Sequence, residues 1–308
     1  MLASGTFHHV YDFAYFELPF GIELPLPNLF GMQITKFMVL QLVVFLITLF
    51  IFRGLSQRIA GGKTASGWWW NFWEMLALYI RDEVVRPIIG DPHHHDHTHE
   101  EHNPLPHGEH QHPFKEAEHI EAEGRSSHNV HGGHPADKYL PFVWSCFFYI
   151  LIANLLGAVP WMGSVTGDLN VTAALALTAL AATYIYGAQV HGFVGFWPAL
   201  VPSIDAPGLL KPILVGMLFA IEVLGFFIKH AVLCVRLFAN IMGGHTVLGV
   251  LLGFLAMTAH LGVWWIVAPG SIAGQVGVGL LELLVAFIQA YVFAFLATIF
   301  IGMSLHEH

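Results

Sequence analysis

Long apolar runs separated by polar segments dominate the chain. The first run that could span a bilayer is 34–52, and the others lie at 139–161, 171–197, about 211–268 and 276–304. Each run is long enough to cross a hydrocarbon core of about 30 Å as a helix. Each is also apolar around its whole circumference, as expected where lipid or protein surrounds a helix. The pattern predicts an all-α polytopic membrane protein with five transmembrane helices.

The segment 67–89 has a different, amphipathic pattern. Its large apolar residues recur at helical spacing, and its charged residues lie away from that stripe, which consists of Trp69, Phe72, Trp73, Leu76 and Ile80. A Trp-rich amphipathic helix of this kind is expected to lie in the membrane interface. The alternative is a helix that packs on the protein's own surface.

The basic residues predict the orientation of the five helices. Most of the 12 Lys and Arg lie between the first two spans, whereas the segments 1–33, 160–170 and 254–275 carry none. By the positive-inside rule the connection 53–138 is cytoplasmic, so the N-terminus lies outside and five crossings leave the C-terminus inside. The first 33 residues also lack the basic and apolar regions of a secretory signal. Lys36 is the exception to the rule, and its side chain is expected to snorkel at the outer end of its helix.

Composition and charge exclude two broad classes of protein. Hydrophobic residues make up 56% of the 308 residues and charged residues 11%, whereas soluble domains have about 45–50% apolar and about 25% charged residues. The balance of 12 Lys and Arg against 21 Asp and Glu gives a net charge of −9, which has the wrong sign for a nucleic-acid partner. The two Cys cannot form a disulfide framework.

One polar stretch, 91–137, divides the chain into three parts. It holds 13 of the 21 His, and its ten acidic and two basic residues contribute −8 of the net charge of −9. It has almost no apolar residue to bury, so we expect a disordered or loosely helical cytoplasmic insertion. The segment 1–90 then carries the first transmembrane helix and the amphipathic helix, and 138–308 forms a four-helix membrane domain.

The insertion contains the sequence HHHDHTHEEH, whose imidazoles suit zinc, nickel or copper. The candidate metal ligands are His93, His94, His95, His97 and His99. Their spacing is not that of a defined site, because repeated histidine is a compositional signal. A solvated linker is therefore the first interpretation, and weak metal or proton buffering and a regulatory site are the alternatives. The sequence predicts no other metal site and no cofactor.

Ionisable and polar residues inside the apolar runs are the main candidates for function. A charge at membrane depth costs about 2.5–3.5 kcal/mol on insertion scales, so such residues mark ion pathways by default. The run that begins near 211 and the last run contain Glu222, Lys229, His230, Arg236, Asn240, His245, Glu282 and Gln289. The seven-residue spacing of Glu222, Lys229 and Arg236 puts these three near one helical stripe.

His245 and Arg236 are predicted to have different roles. Nine residues at 100° each place His245 on the side opposite Arg236. Histidine titrates near neutral pH, so a His245–Glu282 pair between neighbouring helices would form a proton relay. A guanidinium does not deprotonate in proteins, so Arg236 would act as a gate that favours a nearby ionised carboxylate. The alternative is a structural arginine that pairs with Glu222 or a carbonyl.

The strings RLFANIMGGH (236–245) and LELLVAFIQAYVFAFL (281–296) closely resemble the two signature stretches of subunit a of F-type ATP synthases. The strings YIRDEVVRPIIG (79–90), KYLPFVWSCFFYILIANLLGAVP (138–160) and GDLNVTAALAL (167–177) resemble the same family in the same order. The resemblance covers nearly the whole chain except 91–137.

This resemblance implies a stator subunit beside a rotating ring of c subunits. Arg236 matches the family's essential arginine, which faces the rotor carboxylate. Asn240, His245, Glu282 and Gln289 match residues of the half-channel open to the outside, and Glu222 matches the acidic residue of the cytoplasmic half-channel. The family also implies that helices 211–253 and 276–304 form a long, strongly tilted hairpin against the c-ring.

The resemblance further implies partners and a location. They are the c-ring, the stator subunit b, the rest of the complex and membrane lipid, in a bacterial plasma (inner) membrane. His230 departs from the family, because relatives commonly have Pro at this position. A proline kinks a helix, so the shape of the helix near Lys229 stays open. The alternative interpretation of His230 is a polar group added to the cytoplasmic pathway.

A metal-ion transporter is the alternative function, because it would also combine a His-rich loop with intramembrane His and Glu. Such a carrier needs several converging ligands, whereas Arg236 and Lys229 would repel a dication. The chain has no G-x-x-x-x-G-K-[ST] phosphate loop. We therefore expect ATP chemistry to reside in partner subunits and the isolated chain not to be an enzyme.

Overall fold

The computed structural model describes residues 15–18, 22–29, 32–59, 67–90, 134–159, 163–201 and 211–305. Its helices are α1 (Lys36–Ile59), α2 (Trp68–Tyr79), α3 (Arg86–Ile89), α4 (Leu140–Gly157), α5 (Leu169–His191), α6 (Phe196–Ala199), α7 (Lys211–Thr258) and α8 (Trp264–Leu305). A π-helical turn, Ile80–Val85, joins α2 to α3, and short 3-10 turns, Pro135–Lys138 and Val165–Gly167, precede α4 and α5.

Two short antiparallel strand pairs precede the helices. In the first pair β1 (Tyr15–Leu18) lies beside β2 (Ile22–Pro25), and in the second β3 (Asn28–Leu29) lies beside β4 (Met32–Gln33). The sequence pattern predicted no element here. The strands belong to the N-terminal segment and not to the helical body.

Five helices of the described chain, α1, α4, α5, α7 and α8, are long and apolar enough to cross a membrane. They confirm the predicted all-α polytopic class and the number of spans.

The boundary between the last two helices was predicted wrongly. Helices were expected at 211–253 and 276–304 with a connection at 254–275, but α7 ends at Thr258 and α8 begins at Trp264. The chain turns at 259–263, which includes Gly262. Pro269 lies close to the start of α8, where its missing amide removes only one helical hydrogen bond.

The helices α7 and α8 pack against each other as an antiparallel hairpin. At 1.5 Å per residue the 48 residues of α7 extend about 72 Å. A membrane core is only about 30 Å thick, so a helix of this length must incline strongly or extend beyond the core. The length is therefore consistent with the tilted hairpin, whose tilt stays a prediction.

The core of the protein is centred on α4, which packs against α1 on one side and α8 on another. Phe148 of α4 contacts Phe52 of α1 edge-on at 5.1 Å between ring centroids, and it contacts Trp73 of α2 at 5.8 Å. Protein therefore surrounds α4 on most sides, whereas one face of α1 exposes large apolar side chains such as Leu42 and Phe50.

The amphipathic helix packs one face on the protein. Trp73, Ala77 and Ile80 are buried, and the indole Nε1 of Trp144 donates a hydrogen bond to the carbonyl oxygen of Ala77 at 2.9 Å. Trp69, predicted as part of the same stripe, is half exposed. The buried face of this helix therefore packs on the protein's own surface, as the alternative predicted. The position of its exposed face in the membrane interface stays a prediction.

Lys36 differs from its expectation. Its side chain is only 2% exposed and does not snorkel to the surface. The reason is local packing: Phe37 and Leu40 in the same first turns of α1 form a buried cluster with Val165 and Val171. The loop before α5 therefore encloses this end of the helix.

Candidate functional site

Arg236 lies near the middle of α7 and is partly exposed. The exposed residues beside it are small or apolar: Val232, Val235, Ala239 and Gly243. Within the described ranges Arg236 has no hydrogen bond or ion pair. The structural alternative, a pair with Glu222 or a carbonyl, therefore has no support there. A cation on an apolar face of a membrane-competent helix is suited to meet an anion from a partner.

His245 and Glu282 face each other across the α7–α8 hairpin, as the sequence predicted. The Nε2 atom of His245 lies 3.8 Å from the Oε1 atom of Glu282, and Glu282 is buried. This distance is too long for a direct hydrogen bond and suits a bridging water. Both atoms lack a hydrogen-bond partner among the described residues. The two groups can therefore exchange a proton through one intervening molecule.

A cavity of about 330 Å³ adjoins this pair, and three of the predicted residues line it: Asn240, Glu282 and Gln289. We call it the large cavity. Gly243 and Gly244 of α7 and Val278 of α8 also line it. The structure thus brings together all the residues assigned by resemblance to the outer half-channel, with His245 at the edge of the cavity through its contact with Glu282.

A glycine permits the close approach at this point. A Cβ atom added at Gly244 would lie 2.9 Å from Oε1 of Glu282 and 3.1 Å from its carboxyl carbon. These separations are shorter than ordinary contacts, so any larger residue would displace the carboxylate. The neighbouring Gly243 has open space at the same position. Because Gly244 has no side chain, the carboxylate of Glu282 can lie close to α7.

Asn154 of α4 also lines the large cavity, and the sequence analysis did not single it out. Its Oδ1 accepts a hydrogen bond from Oγ1 of Thr166 at 2.8 Å, and its Nδ2 donates to the carbonyl oxygen of Ala286 at 3.5 Å. Thr166 in turn lies 3.3 Å from Oγ of Ser164. These bonds fix the amide so that its NH₂ group faces α8. Because Asn154 lies in the quoted string 138–160, its polarity in an apolar helix was the available signal.

Gln275 is a second residue that the sequence analysis missed. Its Nε2 atom is buried and has no hydrogen-bond partner among the described residues. Gln275, Glu282 and Gln289 are spaced by seven residues and so share one face of α8. That spacing was visible in the sequence, but the predicted start of the last helix at 276 excluded Gln275.

A smaller cavity of about 40 Å³ lies farther toward the start of α7, and we call it the small cavity. Its lining includes Glu222, Lys229 and His230 of α7, Thr183 of α5 and Ser304 of α8. Glu222 is partly exposed. This is the residue assigned by resemblance to the cytoplasmic half-channel.

The two cavities lie on opposite sides of Arg236 along α7. The small cavity is lined by residues 222–230 of that helix and the large one by residues 239–247. At 1.5 Å per residue, Glu222 lies about 21 Å from Arg236 along the helix and Asn240 about 6 Å on the other side. Neither cavity includes Arg236 in its lining. The arginine therefore lies in the interval between two separate cavities, each of which is lined by at least one ionisable residue.

The His/acid-rich insertion begins and ends at one place on the protein. Arg86 binds Asp137 through two hydrogen bonds of 3.1 Å, and it binds Asp82 at 3.2 Å. The hydrogen bond from Arg86, with its positive charge, lowers the pKa of Asp137 below its ordinary value. Residues 134–137 therefore pack on the helical body, although the sequence analysis assigned them to the insertion.

The candidate metal ligands His93, His94, His95, His97 and His99 lie outside the described residues. Across the ranges that the structure does describe, no group of three or more His, Cys, Asp or Glu side chains could hold a metal ion. Among these described residues His245 and Glu282 approach each other as a pair, whereas a metal carrier needs several converging ligands.

This chain is similar in sequence to known proteins of one family. The family model of the ATP synthase A chain matches residues 124–302. A protein named ATP synthase subunit a from Myxococcus xanthus is 34% identical over 322 residues, which cover 97% of this chain and 88% of the relative. One of the same name from Chloroherpeton thalassium is 30% identical over 309 residues, which cover 97% of this chain and 76% of the relative. The family match includes the whole of α7 and most of α8.

Proposed function

Because the chain belongs to the ATP synthase A chain family, we propose that it is the membrane stator subunit of an F-type ATP synthase. In this role it conducts protons past a rotating ring of c subunits. The observation that carries the proposal is the pair of cavities lined by ionisable residues, with Arg236 in the interval between them.

The large cavity serves as the half-channel that is open to the outside. A proton enters along the face of α8 that carries Gln289 and Glu282 and is exchanged within the His245–Glu282 pair. The 3.8 Å separation of this pair supports exchange through one bridging water. Asn154 orients its NH₂ group toward α8 and so supplies a hydrogen-bond donor on the opposite wall.

The rotor carries the proton between the two half-channels. A carboxyl group of the ring takes the proton from the large cavity and becomes neutral, which lets it turn into lipid. An ionised carboxylate does not turn into lipid, because the transfer of an ion into the membrane interior costs much more free energy than the transfer of a neutral carboxyl group. This asymmetry gives the rotation its direction under a proton gradient.

Arg236 keeps the two half-channels apart. It stays protonated at every accessible pH, so it cannot pass a proton along. It stabilises the returning rotor carboxylate in its ionised form. The apolar residues around it, Val232, Val235 and Ala239, leave little polar surface by which a proton could bypass the rotor.

The small cavity serves as the exit to the cytoplasm. Glu222 lines this cavity and is partly exposed, and it takes protons from the arriving rotor carboxyl and passes them to cytoplasmic water. The proposal places the N-terminus outside and the C-terminus in the cytoplasm of a bacterial inner membrane. Subunit b, the c-ring and the rest of the complex are the protein partners. The ATP chemistry belongs to those partners, and this chain contributes the ion path.

The test is reconstitution into vesicles with and without the c-ring. Vesicles that contain the complete complex should synthesise ATP after an acid–base jump, and vesicles whose complex lacks this chain should not. The isolated chain should conduct neither protons nor zinc. Zinc uptake by the isolated chain would contradict the proposal and support a metal carrier instead.

A further inference from the structure

His230 is a buried histidine that the proposed proton path does not yet use. Its side chain is only 2% exposed. The ring contacts two aromatic rings, those of Phe226 and Phe300, each tilted against it with its centroid 4.9 Å away. It also lines the small cavity. An imidazole in this position requires an explanation, because burying a polar group is unfavourable unless its hydrogen bonds are made.

The hydrogen bonds of His230 determine which nitrogen can change its protonation. The Nδ1 atom lies 2.8 Å from the carbonyl oxygen of Phe226. A carbonyl oxygen only accepts, so Nδ1 must carry a hydrogen and donate it. In the neutral ring the lone pair is then on Nε2, which lies 3.5 Å from Oγ1 of Thr183. Nε2 is therefore the atom that can gain and lose a proton.

Thr183 can satisfy Nε2 in both states. Its hydroxyl oxygen lies 2.9 Å from the carbonyl oxygen of Ala179, to which it donates. While the hydroxyl of Thr183 donates to that carbonyl, its oxygen can accept a hydrogen bond from a protonated Nε2. When Nε2 is unprotonated, the hydroxyl can rotate and donate to it instead. Neither state requires a backbone change.

The charged groups that share the small cavity with His230 lie on its own helix. Among the residues lining the small cavity, α7 supplies two charged groups, Glu222 and Lys229, whereas α5, α6 and α8 supply none. Glu222 lies eight residues before His230 on a shared face, about 12 Å along the helix. The cavity of about 40 Å³ has room for bridging waters, since one water needs roughly 10–15 Å³.

The position of His230 along the helix completes the geometry. It lies six residues before Arg236, or about 9 Å, and therefore between Arg236 and Glu222. We propose that His230 is a proton-storage site of the exit half-channel, which takes a proton at Nε2 and releases it toward Glu222 and the cytoplasm. This inference rests on the function proposed above.

The proton balance of this step is simple. The rotor carboxyl loses its O–H bond and becomes a carboxylate beside Arg236, and water in the exit half-channel carries the proton to Nε2 of His230. The ring becomes an imidazolium. The same N–H bond then breaks, and the proton passes through water to Glu222 and the cytoplasm. Nδ1 keeps its hydrogen throughout, so the ring stores a proton and does not relay it from one nitrogen to the other.

A purely structural histidine would behave differently from a storage site. His230→Phe would preserve the contacts with the two aromatic rings, because phenylalanine has a ring of similar size without a nitrogen. His230→Gln would keep a polar side chain that does not titrate. Either variant removes storage. The matched control is His260→Gln, because His260 is exposed in the turn between α7 and α8 and lines neither cavity.

The first experiment measures passive proton conductance of the reconstituted membrane sector, with the pH varied on one side at a time. We expect His230→Phe and His230→Gln to lower the rate roughly tenfold, less than the ~10²-fold minimum for a lost general acid–base, because water and Glu222 remain. The dependence on cytoplasmic pH should lose one titration, while the dependence on outside pH should match the wild type. His260→Gln should behave as the wild type in both.

The second experiment detects the proton itself in the complete complex. Histidine labelled with ¹⁵N, observed as the difference between wild type and His230→Phe, should show Nε2 changing from unprotonated to protonated as cytoplasmic pH falls. Unchanged conductance and pH profiles in both variants would overturn the storage role, as would an Nε2 signal that never changes. A wild-type membrane sector that conducts no protons would instead contradict the proposed function itself. If His230→Phe fails to assemble, His230→Gln and the ¹⁵N titration of the wild type decide.

Discussion

The large and small cavities differ in how their polar atoms are satisfied. In the large cavity the facing atoms of His245 and Glu282 are buried and make no hydrogen bond to another described residue. In the small cavity both nitrogens of His230 lie within reach of protein partners, Phe226 and Thr183. The cavity whose facing atoms lack protein partners is also the larger one: its volume is about 330 Å³, whereas that of the small cavity is about 40 Å³.

This difference suggests two ways of moving a proton through a membrane protein. Buried polar groups that lack protein partners are usually satisfied by water, so the large cavity is suited to a hydrated path that ends at a His–Glu pair. The small cavity has space for little water and instead fixes one imidazole in a defined geometry. Entry should therefore depend on hydration, and exit on the storage of single protons.

Arg236 should have the largest effect, because it separates the two cavities. Arg236→Ala is expected to reduce ATP synthesis by the complex to the level of vesicles that lack the chain, while passive proton conductance persists. The control is Arg53→Ala, which removes an exposed arginine outside both cavities. ATP-driven proton pumping retained by Arg236→Ala would show that the cavities are separated in some other way.

The two carboxylates provide the next comparison. Glu282→Gln should lower ATP synthesis roughly 100-fold or more, as expected for a lost proton-exchanging group. Glu222→Gln should have a smaller effect, because Glu222 is only partly buried, whereas Glu282 is buried. Initial rates after acid–base jumps, with each side's pH varied separately, give the comparison. Equal losses of ATP synthesis in the two variants, with identical pH profiles, would contradict different roles for the two cavities.

Gly244 tests how closely the hairpin must hold Glu282. Gly244→Val should lower proton conductance severalfold, because even the first added carbon would lie 2.9 Å from the carboxylate. Gly253→Ala in the same helix is the matched control, since a Cβ atom there meets nothing within 4 Å. If the two variants conducted equally well, the position of Glu282 would not limit proton entry.

The Arg86–Asp137 pair lies away from both cavities and should affect stability alone. The pKa of Asp137 is lowered in the folded protein, so its contribution is present above the ordinary aspartate pKa of about 3.9 and is lost as pH falls through the folded value. Asp137→Asn should therefore lower the free energy of unfolding at pH 7 by about 1 kcal/mol or less, since both groups are partly exposed. The deficit should shrink at strongly acidic pH. A deficit that grew on acidification would contradict this sign.

The insertion should have the smallest effect of all. A Cβ atom added at Gly90 would lie 3.1 Å from Cε1 of His134, so the two ends of the intervening segment meet. Replacing 92–132 by a short Gly–Ser linker should leave ATP synthesis unchanged and abolish retention on a nickel column. ATP synthesis that falls on deletion, or that responds to zinc only in the full-length chain, would support a regulatory role.

Periodicity and spacing in the sequence predicted much of this arrangement. The five spans follow from apolar runs, and the pairing of His245 with Glu282 follows from helical angles and the family resemblance. The roles of Asn154 and Gly244 did not follow, because they depend on how closely α4 and α7 approach α8, and one helix alone does not specify that distance. His230 was visible in the sequence as an ionisable residue inside an apolar run and as a departure from the family. Its contact with Thr183 depends on the packing of α5 against α7, which the sequence does not specify.

Accessibility from each side of the membrane tests the separation of the two cavities most directly. With Cys146 and Cys234 replaced by alanine, single cysteines at Val285 and Ser304 place a thiol in the large and small cavity, respectively. Silver ions, which are small enough for both, would be added to either side of reconstituted vesicles while proton conductance is recorded. We expect the Val285 position to be inhibited only from the outside and the Ser304 position only from the cytoplasmic side. Inhibition of both from the same side, or of each from both sides, would contradict two half-channels separated at Arg236.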